Sequence, residues 1–182
     1  MGGCESAVIG SPLRRLLQNP FKILAEVGLR PMHRFLDVGC GKGFLTFPAA
    51  SVVGEKGMVY AVDVSEEYLE IVMSRAAALG LGNVKVLKTA GEDLEGVPNH
   101  VIDRAAYLFS LHHIGDIRKS LETLRSKLVD DGLVYILDPI GSRLLGHGTS
   151  PSHVLSILEE TGYKVTGFTK GLLFWKALAK PV

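Results

Sequence analysis

Residues 35–44 read FLDVGCGKGF, and the fold is decided there. An apolar run closing on Asp37 passes directly into Gly39, Gly41 and Gly43, and an apolar, helix-like segment follows from Phe44 to Val53. This order predicts a strand, a tight turn and a helix N-terminus. Glycine suits such a turn because the backbone takes angles that side chains resist, and because a missing Cβ lets a ligand lie against backbone N–H groups. A nucleotide-like cofactor is the ligand class implied. The spacing narrows it: a dinucleotide fingerprint runs G-x-G-x-x-G, whereas here the glycines run G-x-G-x-G and position 44 is Phe, which counts against NAD.

A second apolar run, Met58 to Val62, ends in Asp63. The acid stands roughly 20 residues past the last glycine, where a strand-tip carboxylate can accept from both hydroxyls of a ribose. A glycine turn alone also serves packing in many α/β proteins; the second strand with its terminal acid tips the balance toward a cofactor site.

With D-x-G-x-G-x-G at 37–43 and VYAVDVS at 59–65, the chain from Arg34 onward resembles the class I S-adenosylmethionine (SAM)-dependent methyltransferases of methyltransferase type 11. The run AYLFSLHHI at 106–114 resembles their ubiquinone and menaquinone C-methyltransferase group. The resemblance implies SAM as cofactor and S-adenosylhomocysteine as product. It implies that Gly39, Cys40, Gly41 and Gly43 lie along the methionine part, that Asp37 helps hold the amino group, and that Asp63 takes the ribose hydroxyls. Val64 and Leu94 would sandwich the adenine, and Tyr107 joins the cofactor set. One departure stands out: where relatives commonly place an Asp after the third strand, KTAGEDL puts Ala90. The backbone of Ala90 and Gly91, or the carboxylate of Glu92 or Asp93, is left to read the adenine.

Methyl transfer from a sulfonium is a single in-line displacement, so the protein has little covalent chemistry to perform. Orientation supplies much of the rate, on the order of 7 kcal/mol or more in well-aligned systems. His112 and His113 are the catalytic candidates, since a histidine beside the methyl can take a proton from the nucleophile. A structural role at a helix start, bonded to backbone, is the other reading of the pair.

Absences restrict the acceptor. Amide and adenine N-methyltransferases of the superfamily carry Asn or Asp, Pro-Pro and an aromatic after strand four, where this chain reads YLFS. Pyrimidine C5 methylation needs a cysteine nucleophile, and arsenite methylation several thiols. This chain has Cys40 in the glycine loop and Cys4 near its start. Two cysteines provide neither a disulfide framework nor a multi-thiolate metal site, and a reducing cytoplasm fits them.

Length and composition agree with one enzyme-sized unit. A chain of 182 residues, 47% hydrophobic, can enclose a core as a single domain over 1–182, with 1–33 as an N-terminal helical extension. No apolar run approaches the roughly 18 residues of a membrane span. A net charge of +1 gives no general pull toward nucleic acid or anionic membrane. MGGCES matches the myristoylation pattern formally, without a polybasic partner signal.

Along the chain, residues 1–10 are small and glycine-containing. Ser11-Pro12 and Asn19-Pro20 each read as an N-cap and first helical position. The two short helices they open present Leu16, Leu17, Ile23, Leu24 and Val27 on one face, with Arg14, Arg15, Lys22, Arg30 and Arg34 around them, and form a candidate lid. Strands are then expected at Arg34–Val38, Met58–Val64, Asn83–Lys88, Val101–Leu108 and Leu133–Leu137. Helices are expected up to Gly54, from Ser65 to Gly80, and along the stripe Ile117, Leu121, Leu124 and Leu128. Asp130-Asp131-Gly132 reads as the turn after that stripe. Ser150-Pro151 opens a helix with Val154, Leu155 and Leu158 inward and Gly162 at its end. Tyr163–Thr169 and Leu172–Ala179 flank Lys170-Gly171 as an antiparallel hairpin. The fold class is α/β: a Rossmann-like, doubly wound, seven-stranded sheet, mostly parallel, whose last strand the resemblance inserts between the fifth and sixth. Gly141, Gly146 and Gly148 point to a movable loop in the short gap from Pro139 to Thr149.

The function these readings support is a SAM-dependent methyltransferase acting on an O, N or C atom of a small molecule. An RNA or protein methyltransferase docking through the basic N-terminal segment is the alternative, as is a SAM-binding subunit without chemistry of its own. Nucleic acid is not indicated, and a homo-oligomer is left open.

Overall fold

The computed structural model describes residues 19–141 and 148–182. The expected helix at Ser11-Pro12, with Arg14, Arg15, Leu16 and Leu17, and the loop residue Gly146 lie outside the described residues, as do Cys4 and the myristoylation-like start.

Seven strands form one sheet: β1 (Arg34–Val38), β2 (Met58–Asp63), β3 (Val84–Lys88), β4 (Ile102–Leu108), β5 (Leu128–Pro139), β6 (Tyr163–Lys170) and β7 (Phe174–Pro181). Their order is β3-β2-β1-β4-β5-β7-β6. β1 to β5 pair in parallel, while β7 runs antiparallel to both β5 and β6. The expected insertion of the last strand is therefore observed. Among the described residues the α-helices are α1 (Pro20–Glu26), α2 (Thr46–Val53), α3 (Glu66–Ala78), α4 (Ile117–Lys127) and α5 (Pro151–Glu160).

Alternation along the strands sorts the helices onto two faces. Leu36, Val38, Val62, Tyr107, Val134 and Ile136 point toward α4 and α5 and form one core with Leu121, Leu124, Val154 and Leu158. Their neighbours Phe35, Val59, Ala106 and Tyr135 point the other way and pack against α1 and α2. α3 completes that second face through Leu69, Val72 and Ala76 against Ala61, Cys40 and Phe47. A period of 2 in the strands thus buries both faces, as a parallel sheet requires.

The helix starts follow their local chemistry. Asn19 accepts from the N–H groups of Phe21 and Lys22, and Ser65 from that of Tyr68. Glu66 and Glu67 occupy the first turn of α3, where an N-terminal helix dipole favours them. The described part of the candidate lid is a packing element: Ile23, Leu24 and Val27 are buried in the second core, and Glu26 pairs with Lys176 at 2.7 Å.

One local expectation is corrected. Asp130-Asp131-Gly132 lies inside β5, where the ladder jumps from Leu128 opposite Ile102 to Leu133 opposite Arg104, so the acids form an excursion rather than a preceding turn. In α5 the expected Val154 and Leu158 are buried together with Pro151 and Ile157, and Leu155, partly buried, packs against the same core. Gly141 and Gly148 serve close approach of two backbones: a Cβ on Gly148 would stand 2.3 Å from the Pro139 carbonyl oxygen, and one on Gly141 2.7 Å from that of Gly148. An Ile140–Thr149 bridge ties these loop ends together. Among the described residues no helix is long and apolar enough to cross a membrane.

Candidate functional site

The C-terminal ends of β1, β2 and β4 open onto a cavity of about 640 Å³, a size that suits a small-molecule cofactor. Its wall includes Asp37, Gly39, Cys40, Gly41, Asp63, Val64, Gly91, Glu92 and His113, so the structure brings together nine of the residues singled out in the sequence.

Backbone shape dominates the glycine turn. Gly39, Gly41 and Gly43 all have positive φ, at 71°, 52° and 83°. A Cβ on Gly39 would meet Ser110 Cβ at 2.4 Å, and one on Gly43 would meet the Phe47 ring at 2.4 Å. Gly41 has open space instead. Gly43 therefore shapes the turn from behind and is not on the cavity wall. Asp63 fastens the turn, accepting the Gly41 N–H on Oδ2 and the Ser65 N–H on Oδ1, each at 2.9 Å. Each oxygen retains a lone pair for a ligand hydroxyl. Asp37 is buried and accepts from the Thr46 hydroxyl at 2.7 Å, which ties the end of β1 to the first turn of α2.

Cys40 borders the cavity, but burial and the carboxylates of Asp37 and Asp63 push its thiol far up, so the nucleophilic thiolate does not form near neutrality. Val64 stands 66% exposed at the rim, an apolar surface that can lie against a planar base.

On the opposite wall, Glu92 accepts from the N–H groups of Gly115 at 2.8 Å and Asp116 at 3.3 Å. Asp93 turns away and pairs with Lys119 at 2.6 Å. Gly91 is so closely packed that a Cβ would meet Ile114, just past the end of β4, at 2.7 Å and Val38 of β1 at 3.2 Å. The Ala90 carbonyl caps the local turn by accepting from Asp93 and Leu94, and Ala90 is not part of the cavity wall.

Leu94 and Tyr107 are corrected as direct contacts. Leu94 is fully buried in the core under α4, with φ of 48°, because its side chain completes that apolar layer. Tyr107 is also fully buried, and its hydroxyl lies 2.8 Å from Ser120 Oγ, which itself donates to the Gly91 carbonyl at 2.7 Å. Tyr107 thus supports the cavity wall through Ser120. Burial pushes its phenol well above the usual range.

The histidines part company. Both sit in a 3₁₀ turn, Leu111–His113, directly after β4. His113 lines the cavity, whereas His112 Nδ1 meets Asp138 Oδ1 at 2.8 Å. The two rings are 4.0 Å apart between centroids.

Several wall residues had no sequence signal. Phe109 lines the cavity with φ of 54°, a conformation rare outside glycine, and its ring packs edge-on against Phe174 at 5.3 Å. Ser110 donates to the Val38 carbonyl and so joins the histidine turn to the glycine turn. Arg75, on α3, crosses over the Phe47 ring at 4.4 Å beside the cavity. Each of these depends on a distant partner that spacing along the chain does not reveal.

The arrangement fits SAM on structural grounds: a side-chain-free turn opens beside Gly41, a carboxylate stands at the tip of β2, and an apolar rim lies beyond it. Comparisons with known proteins agree. Residues 29–162 match the family model of the methyltransferase domain. A SAM-dependent methyltransferase from Aquifex aeolicus of solved structure is 31% identical, with a TM-score of 0.83 over 96% of this chain and 95% of that one. The nocamycin O-methyltransferase of Saccharothrix syringae is 42% identical over 72 residues, 40% of this chain and 26% of that protein. A ubiquinone/menaquinone biosynthesis C-methyltransferase of Vibrio cholerae is 31% identical over 112 residues, 61% of this chain and 43% of that protein. The chain spans less than half the length of these two curated relatives. With the domain match running through most of the chain and the likeness to the Aquifex enzyme covering nearly all of it, this chain belongs to the SAM-dependent methyltransferases.

Proposed function

We propose that this protein transfers the methyl group of SAM to an O, N or C nucleophile of a small molecule. The observation that carries this reading is convergence: the glycine turn, the Asp63 carboxylate and His113 border one cavity at the C-terminal ends of adjacent strands. Bound there, SAM supplies an electrophilic methyl on a sulfonium. Asp63 holds the ribose hydroxyls, Gly39 to Gly41 run along the methionine part, and the Asp37 carboxylate faces its amino group. Val64 covers one side of the adenine, and Gly91 and Glu92 form its opposite boundary. The histidine turn stands at the acceptor end and holds or moves a proton there. The same reading has the protein work in a reducing cytoplasm, which the free, buried thiol of Cys40 supports.

Melting curves test the cofactor without any acceptor. A ligand that binds only the folded chain stabilises it by about 2.7 kcal/mol at a hundredfold excess over Kd, a shift of a few degrees. SAM and S-adenosylhomocysteine should both produce it, and NAD and NADP should not. Stabilisation by NAD alone would overturn the assignment. Acceptor classes are then screened with methyl-labelled SAM.

A further inference from the structure

The cavity has two unlike ends. Toward β2 and the loop after β3 its wall is polar, with Asp63, Ser65, Thr89 and Glu92. Toward the ends of β1 and β4 it is apolar: Phe44, Leu45, Leu108 and Phe109 line it, and all four belong to or pack against the cluster shared with α1 and α2. The Ser110 hydroxyl at that end is committed to the Val38 carbonyl. A cofactor made of ribose, base and amino acid uses the polar end and the glycine turn. It leaves the apolar end without an occupant.

Phe109 shapes that end. Its φ of 54° lies in the left-handed region, which glycine enters freely and an aromatic residue only under strain. Its N–H donates to the Leu137 carbonyl of β5 at 2.8 Å, and its ring stands edge-on to Phe174 of β7 at 5.3 Å, so backbone and side chain are both held from outside its own turn. A strained aromatic residue kept on a cavity wall points to use by a ligand. From Phe109 the apolar surface runs out of the cavity onto the turn between β6 and β7, where Leu173 is 40% and Phe174 38% exposed. That turn is tied down: the Gly171 N–H donates to the Phe174 carbonyl and the Ile140 N–H to the Leu173 carbonyl, each at 2.8 Å. Apolar residues scattered singly over a surface need no explanation, whereas apolar surface continuous with a cavity marks a binding groove.

We infer that the methyl acceptor carries an extended, uncharged aromatic body, that this body lies on Phe44, Phe109 and Phe174, and that Phe109 is the specificity-determining residue. This rests on the methyltransferase reading above and names the substrate class of that same site. The rings of Phe109 and Phe174 offer a planar ligand offset and edge-to-face contacts. The lysine and arginine of the cavity wall, Lys42 and Arg75, lie instead over the rings of Tyr68 and Phe47, on the α3 side. Charge therefore does not select the acceptor at Phe109; shape and apolar area do. A sugar or an amino acid in its place would leave these rings facing water.

The test uses a stand-in for the acceptor, N-phenyl-1-naphthylamine, an uncharged aromatic whose fluorescence rises in apolar surroundings. Added to the full-length protein saturated with S-adenosylhomocysteine, it should bind saturably to a single site. Isotope-filtered NOEs should connect its rings to those of Phe109 and Phe174. Phe109→Gly, which also frees the backbone of its left-handed strain, should weaken the probe about tenfold, as the loss of an aromatic anchor does. Phe174→Ala removes the outer ring and should weaken it about threefold.

No saturable binding to a wild-type protein whose melting temperature S-adenosylhomocysteine still raises overturns the inference. So do NOEs that reach neither Phe109 nor Phe174, or affinities that both variants leave unchanged. The wild-type NOEs decide the matter even where a variant does not fold. A wild-type dimer that excludes the probe and that Phe174→Ala dissociates would give the turn to a second copy and likewise overturn it. Absence of any melting shift with SAM or S-adenosylhomocysteine in the wild type would instead sink the methyltransferase reading itself.

Discussion

The glycine turn after β1 and the histidine turn after β4 stand at neighbouring strand ends, with Ser110 bonded across to the Val38 carbonyl. They are held in different ways. The glycine turn is fixed by its own backbone angles and by Asp63, which is itself anchored to Gly41 and Ser65. The histidine turn is fixed by side chains from far along the sequence: Asp138, Thr149 and Trp175 behind His112, and Phe174 against Phe109. Binding a constant cofactor asks only for a shape the backbone can make, while handling a proton needs oriented side chains. The first is local and the second is assembled by topology.

The largest effect should come where the two turns touch. Gly39→Ala places a methyl 2.4 Å from Ser110 Cβ at a φ of 71°. Left-handed strain of about 1–2 kcal/mol adds to overpacking of about 1–3 kcal/mol, so urea denaturation should show roughly 3 kcal/mol lost. Gly41→Ala meets open space and should cost only the strain, about 1–2 kcal/mol. Equal losses would show that close approach to the histidine turn does not govern the site.

Asp63→Ala should weaken SAM binding by about 1.5–3 kcal/mol, the range for hydrogen bonds to a charged group. Calorimetric titration of both proteins gives the figure. Affinities equal within error would remove Asp63 from the ribose.

Next in size is Tyr107→Phe, which removes the bond to Ser120 behind Gly91 and should cost about 1 kcal/mol of stability. Its pH dependence has a definite sign. Burial holds the folded phenol protonated, whereas the unfolded chain releases that proton above about pH 10. There the unfolded state binds fewer protons than the folded one, so wild-type stability falls as pH rises past that value. The variant lacks this loss, and the gap between the two proteins in urea should narrow from about pH 8 to about pH 10.5. A constant gap would mean that the phenol ionises alike in both states.

The smallest effect belongs to a contact outside both turns. Lys88→Ala removes an exposed ion pair with Glu66, and the melting temperature should stay within error, as solvent and salt screen such pairs.

Sequence legibility follows the same division. The strand tips at Asp37 and Asp63 and the glycines between them could be read because each signal is local: an apolar run, a residue free of Cβ, a terminal acid. The order of the sheet, with β7 inside it, came from family resemblance. Leu94 and Tyr107 were misplaced because an apolar or aromatic residue near a site reads the same whether it faces a ligand or the core. Only the register of β4 and the fit of α4 decide that. His112 and His113 are adjacent and identical in type, and their separation depends on Asp138, 26 residues beyond His112. Asp130-Asp131-Gly132 carries every local mark of a turn, yet the ladder resumes on both sides of it.

The position of β7 has a consequence for how the chain is made. β5 gains its second neighbour only when Phe174–Pro181 arrives, since Val134 pairs with Ala179 and Ile136 with Ala177. During synthesis, everything from Leu128 to Lys170 is complete before that partner exists. For that interval β5 offers an unpaired and strongly apolar edge, to which a strand from another nascent copy can add. Slowed translation across Phe174–Pro181 should therefore lower soluble yield more than slowed translation across β1, although the glycine turn and Asp63 are already in place by then.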